Sequence, residues 1–379
     1  MAGRPRRVLV GLITAASALS GCGRGSDAGA GTVQAGRAHC GQGWNQARAG
    51  SRTLLVHNGD SSAVDVTVVS GGAVFAELEG LGPGTTRPLR MSLAAGTYRV
   101  TCRPEDASPV KGPDVVVTGA ARGAPGVRPI TRNDLYPASR AYRAYVSHGL
   151  GTLEDRTDEL RDAVRSGDLA AARAAWLPAH LAYERLGAAY GTFGDFADKI
   201  DGRPAGLPKG VHDTDFTGFH RVEYGLWHGE PAVSLRAPAD RLAADVESLR
   251  GDFPHEQIDP GDLGLRAHEI LENTLQSELT GKADQGSGTV LATAAANVDG
   301  ARAVLRSLRP LLKDRMDLAE IDTWLGRTAH LLRAQHRHGE WTPLDRLSTV
   351  ERERMNGTVG ELVELLSSVA TIAAVRTRP

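Results

Sequence analysis

The feature that most constrains this chain is a change of hydrophobic period partway along it. Between residues 38 and 118 the apolar side chains come in short runs, several of them alternating. These are Thr53-Leu54-Leu55-Val56, Ala63-Val64-Asp65-Val66-Thr67-Val68-Val69, Val74-Phe75-Ala76-Glu77-Leu78 and Tyr98-Arg99-Val100-Thr101-Cys102. Turn residues separate them at Asn58-Gly59-Asp60, Gly71-Gly72, Gly82-Pro83-Gly84 and Ala95-Gly96. Short strands punctuated in this way predict a small β-sandwich. Residues 119–130 are rich in Gly, Ala and Pro and read as a linker. From residue 131 to about 375 the period becomes helical. Leu150, Leu153, Leu160 and Val164 share one face, and Gly167-Asp168 ends that run. Further amphipathic runs cover roughly 169–189, 215–228, 236–250, 262–278, 288–312, 317–336 and 346–370. A side-chain period of 2 and one of 3.6 bury different faces. The chain is therefore expected to be multidomain, a β-sandwich followed by an all-α helical bundle of seven or eight helices.

The N-terminus reads as a targeting segment. Arg4, Arg6 and Arg7 precede an apolar stretch from Val8 to Leu19, too short to span a bilayer comfortably. Leu19-Ser20-Gly21-Cys22 resembles a bacterial lipobox, which makes residues 1–21 a lipoprotein signal peptide and Cys22 the lipidated residue. Residues 22–37 are Gly/Ala-rich and are expected to be a flexible tether. The chain has three cysteines. With Cys22 lipidated, Cys40 and Cys102 remain, and in an oxidising compartment a disulfide is their default fate. Formal net charge is -1, with no basic run interleaved with aromatics, so there is no electrostatic footprint for nucleic acid.

The sharpest chemical signal is Gly218-Phe219-His220-Arg221-Val222-Glu223. On a helix, His220 and Glu223 are three apart and share a face. Such a pair alone is a common chance match, and its context is what strengthens it. Tyr183-Glu184 on the preceding helical run and Asp195-Phe196-Ala197-Asp198-Lys199-Ile200-Asp201 add carboxylates that a bundle can bring to the same face. His268 and Glu272 are a weaker i,i+4 pair, more consistent with a solvated face. His336-Arg337-His338 reads as exposed charge at a helix end. Trp176 and Trp227 read as core.

Taken together, the Tyr-Glu element, the Asp-x-x-x-x-Ile-Asp stretch and the Gly-Phe-His-Arg-Val-Glu-x-x-Leu-Trp segment resemble the imelysin-like domain. More specifically they resemble the EfeO/EfeM-type iron-uptake lipoproteins. Leu275-Gln276-Ser277-Glu278-Leu279-Thr280-Gly281 and Ala296-Asn297-Val298-Asp299-Gly300-Ala301 resemble that family too. The resemblance implies that the sandwich is cupredoxin-like and that residues 131–375 are an imelysin-like metal-binding domain. It implies metal ligands Glu184, Asp201, His220 and Glu223, with Asp195 and Asp198 less securely placed. Iron, as Fe³⁺ or Fe²⁺, is the implied cargo, and the implied partners are an iron permease and a haem peroxidase. Carboxylates are hard donors that suit iron, although Zn²⁺ or Cu²⁺ can bind the same set. In the β region, Gly96–Cys102 resembles the strand that leads to a cupredoxin's ligand cysteine. Arg103-Pro104-Glu105-Asp106 follows it, with no His or Met, which argues against a type 1 copper site. A carboxylate site from Glu77, Glu79, Glu105 or Asp106 is the remaining reading there.

Three functions compete. A metal-binding component of an uptake system fits best and is not an enzyme. An imelysin-like metallopeptidase lacks what a zincin needs, a second His at i+4 with a Glu between. A polysaccharide-binding protein would stack sugars on aromatics, and the chain has few. The anchor is directly testable. In a host that processes lipoproteins, Cys22→Ala is expected to move the mature protein from the membrane to the soluble fraction. Full membrane retention of that variant counts against lipidation.

Overall fold

The structure, a computed structural model, describes residues 32–375. The signal segment, Cys22 and most of the expected tether lie outside the described residues. Two compact units make up the chain, an N-terminal one of strands and a C-terminal one of helices.

The first unit contains β1 (Val33–Ala35), β2 (Gln46–Arg48), β3 (Gly50–Asn58), β4 (Val64–Ser70), β5 (Ala73–Leu81), β6 (Thr86–Leu93), β7 (Gly96–Pro104) and β8 (Val110–Thr118). They form a sheet of order β1-β3-β6 and a second of order β2-β8-β7-β4-β5. Alternation assigns the faces. Val64, Val66 and Val68 of β4 are buried, as are Val100 and Cys102 of β7, which pair with them at Val68↔Val100 and Val66↔Cys102. Leu54 and Val56 of β3 and Leu89, Met91 and Leu93 of β6 bring the other sheet to the same core. The unit is therefore a sandwich, as expected from the period-2 pattern.

The last residues read from composition as tether include a strand. Residues 33–35 are strand β1, pairing parallel to β3 at Val33↔Val56, because Val33 and Ala35 are both apolar and both buried. Strands β6 and β8 also escaped the sequence pattern. Pro88 interrupts β6 and is tolerated because β6 is the edge of its sheet. In β8 only Val115 and Val117 alternate inward. Cys40 and Cys102 form a disulfide with Cα atoms 5.8 Å apart, across a sequence separation of 62. The Cys102 sulfur is therefore not a thiolate donor for copper. Asp106, one of the candidate acids of this unit, is drawn into an ion pair with Arg37.

The second unit begins at α1 (Arg132–Ser166), which opens on a capping box made by Thr131 and Asp134 and stops at Gly167, in the left-handed conformation. Asp168 then caps α2 (Leu169–Glu184). There follow α3 (Tyr190–Phe193), α4 (Asp195–Asp201), α5 (Gly218–Trp227), α6 (Ala232–Asp252), α7 (Leu263–Asn273), α8 (Val290–Leu312), α9 (Ala319–Arg333) and α10 (Thr349–Ala373). Ten α-helices thus appear among the described residues. The excess over seven or eight comes from two short pieces, α3, which lies outside the expected runs, and α4, which falls on the polar stretch Asp195–Asp201. Inward-facing Ile200 anchors α4. The run expected at 169–189 divides after Glu184, where a 3-10 turn at Gly187–Ala189 redirects the chain and stacks Tyr190 on Tyr183 at 4.6 Å. Helix α7 continues into a π-helical turn at Thr274–Glu278. His336-Arg337-His338 does not end a helix. It starts a two-stranded hairpin of β9 (His336–Arg337) and β10 (Glu340–Trp341), and His336 stacks on Trp341 at 5.0 Å.

Closing a loop of this size is worth about 4 kcal/mol of stability in the chain-entropy picture. We therefore expect the Cys40→Ser/Cys102→Ser double variant to denature its β unit at clearly lower urea concentration, while helical signal from the second unit is retained. Two titratable thiols in the non-reduced, mature wild-type chain would count against the disulfide.

Candidate metal centre

Three helices of the second unit converge on a small buried cluster. His180 comes from the fourth turn of α2, Asp201 is the last residue of α4, and His220 lies in the first turn of α5. What brings α4 and α5 together is a close approach at Gly218. A Cβ there would meet the Ile200 carbonyl oxygen at 2.2 Å, and Gly218 adopts φ +79°. Only glycine fits both conditions. Thr217 Oγ1 reinforces the contact by donating to the Lys199 carbonyl at 3.0 Å. His180 packs between Trp176 and Phe219, at 4.8 and 5.3 Å between ring centres. Trp176 is itself fixed by its Nε1–H, which donates to the Phe219 carbonyl at 3.0 Å, and Trp227 packs on it edge-on; Trp176 is core, as read from sequence, and Trp227 is partly buried against that core.

In the cluster, one donor atom each from His180, Asp201 and His220 lies within 4.8 Å of the others. His180 Nε2 is 3.2 Å from Asp201 Oδ1 and 3.2 Å from Glu184 Oε1. His220 Nε2 is 3.5 Å from Asp201 Oδ1. On the other side of the His220 ring, Nδ1 lies 3.1 Å from Glu223 Oε2. Glu223 Oε1 in turn accepts the backbone N–H groups of Gln285 and Ser287, both at 3.1 Å. Glu223 therefore stands behind His220 in this arrangement, the usual position of a carboxylate that fixes a ligand imidazole.

The structure thus brings Glu184, Asp201 and His220 together, with Glu223 adjoining through His220. Asp198 lines a cavity of about 680 Å³ whose walls also include Glu184, Asp201, Arg203, Glu278 and Asn297. Asp195 lines a different cavity, of about 460 Å³, with Lys199 and Arg266. His268 Nδ1 is 3.0 Å from the Val363 carbonyl of α10, so it bridges helices and does not face solvent as the sequence suggested. Two groups were not singled out as ligands in the sequence. His180, four residues before Glu184, carried an i,i+4 signal that reads equally well as a local ion pair. Glu278 lies in the π-helical turn, 3.2 Å from an Arg203 nitrogen.

The electrostatics are those of a desolvated, mutually compensated cluster. Burial alone would push the His180 imidazole down, but Asp201 and Glu184 beside it hold it well above its usual value. His220 is likewise opposed by burial and raised by Asp201 and Glu223. Burial works against ionised Asp201, yet the charges of His220 and His180 keep it below the usual carboxylate range. The same balance, through His220, lowers Glu223. Glu278 goes the other way, pushed up to about 8 by burial and by the charge of Glu184. Two imidazoles and converging carboxylates form a donor set that suits a divalent or trivalent first-row metal. The set fits such an ion on its own evidence, because its anionic atoms already gather positive charge, as protons, at one point.

The Imelysin family model (Peptidase_M75) matches residues 138–369. This chain belongs to the imelysin family. Among its relatives, the iron uptake system component EfeO of Yersinia pestis is 30% identical over 323 residues, 85% of each chain. The iron uptake system component EfeO of Escherichia coli O157:H7 is 27% identical over 327 residues, again 85% of each. An imelysin-like protein from Psychrobacter arcticum 273-4 has a solved structure with TM-score 0.45 and 14% identity, covering 65% of this chain and 98% of that one.

The charge balance sets a pH dependence in the metal-free protein. A folded imidazole raised above 6.5 contributes stability that is complete below pH 6.5 and is lost as pH rises through the folded value. Glu278, protonated up to about 8 in the fold, loses stability in the same direction. The lowered Asp201 and Glu223 matter only near their own acidic range. The melting temperature of chelator-treated protein is expected to fall between pH 6.5 and 8. Saturating Zn²⁺ should remove most of that fall, because the cation replaces the protons' charge. A metal-free melting temperature that climbs over this range contradicts the assignment.

Proposed function

We propose that this chain is an extracytoplasmic, lipid-anchored component of an iron-uptake system that captures iron and passes it to a membrane permease. The observation that carries the reading is the buried convergence of His180, Asp201 and His220, with Glu184 alongside. Relatives named as iron-uptake components agree with it. In this reading His180, Asp201, His220 and Glu184 face the ion, and Glu223 orients His220. That set differs from the one implied by family resemblance in adding His180 and moving Glu223 back. The carboxylates offset the charge of Fe³⁺ or Fe²⁺, and the two imidazoles make Zn²⁺ and Cu²⁺ competent substitutes. A haem peroxidase of the same system is the second partner in this reading. The role is that of a carrier and not an enzyme, since no His–Glu–x–x–His arrangement supplies a peptidase's general base.

The test is calorimetric titration of the mature chain with ferric citrate and with Zn²⁺. His180→Ala, Asp201→Asn and His220→Ala are each expected to weaken both metals at least tenfold with the helical signal intact. Wild-type affinity in all three refutes the site. Cleavage of casein by wild type, lost in the same variants, would favour the metallopeptidase instead.

A further inference from the structure

The loop before α8 does more than connect helices. It reaches the centre from more than 60 residues away in sequence and places two backbone N–H groups on one oxygen of Glu223, each at 3.1 Å. Its shape is set internally. Asp284 Oδ1 accepts the N–H of Gly286 at 2.7 Å and of Gly288 at 3.1 Å, and Ser287 Oγ is 2.8 Å from Thr289 Oγ1. Gly286 has φ +122°, and a Cβ there would lie 2.9 Å from Trp227 Cβ on α5, the helix that carries His220 and Glu223. The loop is thus wrapped tightly onto the far side of the centre. A carboxylate with one oxygen clamped by two N–H groups has its other oxygen aimed, and here that oxygen meets His220 Nδ1. A neutral imidazole that donates from Nδ1 leaves the Nε2 lone pair free. Nε2 is the atom that faces Asp201.

We propose that Asp284 and Gly286 are positioning residues of the metal centre: the loop at 284–288 clamps Glu223, and Glu223 holds His220 in the tautomer and orientation that present Nε2 to the ion. Neither residue touches the ion. The inference rests on the metal-binding reading above and adds to it a part of the chain that the family motifs do not include. The loop's effect must pass through Glu223, and that makes it separable from a general contribution to folding. Asn at position 284 keeps the Oδ1 acceptor and so keeps the clamp, whereas Ala removes it.

The experiment uses the mature chain, with Zn²⁺ as the probe, in a double-variant cycle. Asp284→Ala and Gly286→Ala are each expected to weaken Zn²⁺ ten- to a hundredfold, the range for partners behind a ligand. Glu223→Gln should do the same, and Asp284→Asn should stay within about threefold of wild type. The deciding measurement is the Glu223→Gln/Asp284→Ala pair, expected to bind no more weakly than Glu223→Gln alone. Additive losses, or wild-type affinity in Asp284→Ala or in Glu223→Gln, overturn the proposal while leaving the His180/Asp201/His220 site standing. If wild type takes no Zn²⁺ or iron, the metal reading fails, and nitrogen NMR of metal-free protein decides the clamp independently. At a pH where the ring is neutral, wild type should hold His220 as the Nδ1–H form and Asp284→Ala should lose that preference. An unchanged tautomer in that variant overturns the clamp.

Discussion

Asp201 sits between two imidazoles in the interior of a helical unit, and much of the surrounding structure serves to make that tolerable. Taking charges out of water costs several kcal/mol per ion, and only close partners offset it. Each member here has them: His180 on Asp201 and Glu184, His220 on Asp201 and Glu223, and Glu223 on two backbone N–H groups. Removing any one leaves its neighbours buried with charge uncompensated. The aromatic surround of Trp176 and Phe219 excludes water from His180, which strengthens every interaction in the cluster. The helices supply rigid positions, and the glycine at 218 lets two of them approach closely enough to share the cluster.

How much of this was legible in the sequence follows from the range of each interaction. His220 and Glu223 are three apart on one helix, and local spacing alone put them together. The change of period divided a β region from a helical one, and Gly167-Asp168 marked a helix boundary that the structure keeps. His180 was harder. Its spacing to Glu184 is also local, but its meaning depends on Asp201 and His220, which are brought to it by the Gly218–Ile200 contact. No periodicity encodes a backbone approach of that kind. Glu278 was hidden for a similar reason: only the π-helical turn and the proximity of Glu184 mark it as unusual. In the β region, β1 and β8 offer two inward side chains apiece and β6 carries a proline, so alternation is too short or too broken to detect.

The two units solve the problem of burying a core differently. The β-sandwich is small and ties its β7 strand to the segment before β2 through the Cys40–Cys102 bridge. That constraint acts on the unfolded chain, where it removes disorder that the sandwich core would otherwise have to overcome. The helical unit has no such bridge. It relies on a much larger apolar core, threaded by Tyr142, Trp176, Phe219 and Phe253, and can therefore accommodate a polar cluster without losing its fold.

In the proposed metal-binding reading, protons and a cation compete for the same atoms of this cluster. In the metal-free protein the imidazoles are held above their usual value, so near neutral pH they carry protons where an ion would take their lone pairs. A cation must displace those protons, which lowers its net affinity relative to a site built from neutral rings. The same competition lets an incoming proton help an outgoing ion. Glu278 on the cavity wall extends the exchange. Burial and Glu184 keep it protonated to about 8, while the positive charges of Arg203, His220 and His180 pull it down. A cation added near Glu184 acts in the second direction and favours loss of the Glu278 proton. In the proposed reading, binding of an ion at His180, Asp201 and His220 is therefore coupled to loss of protons from the imidazoles and from Glu278.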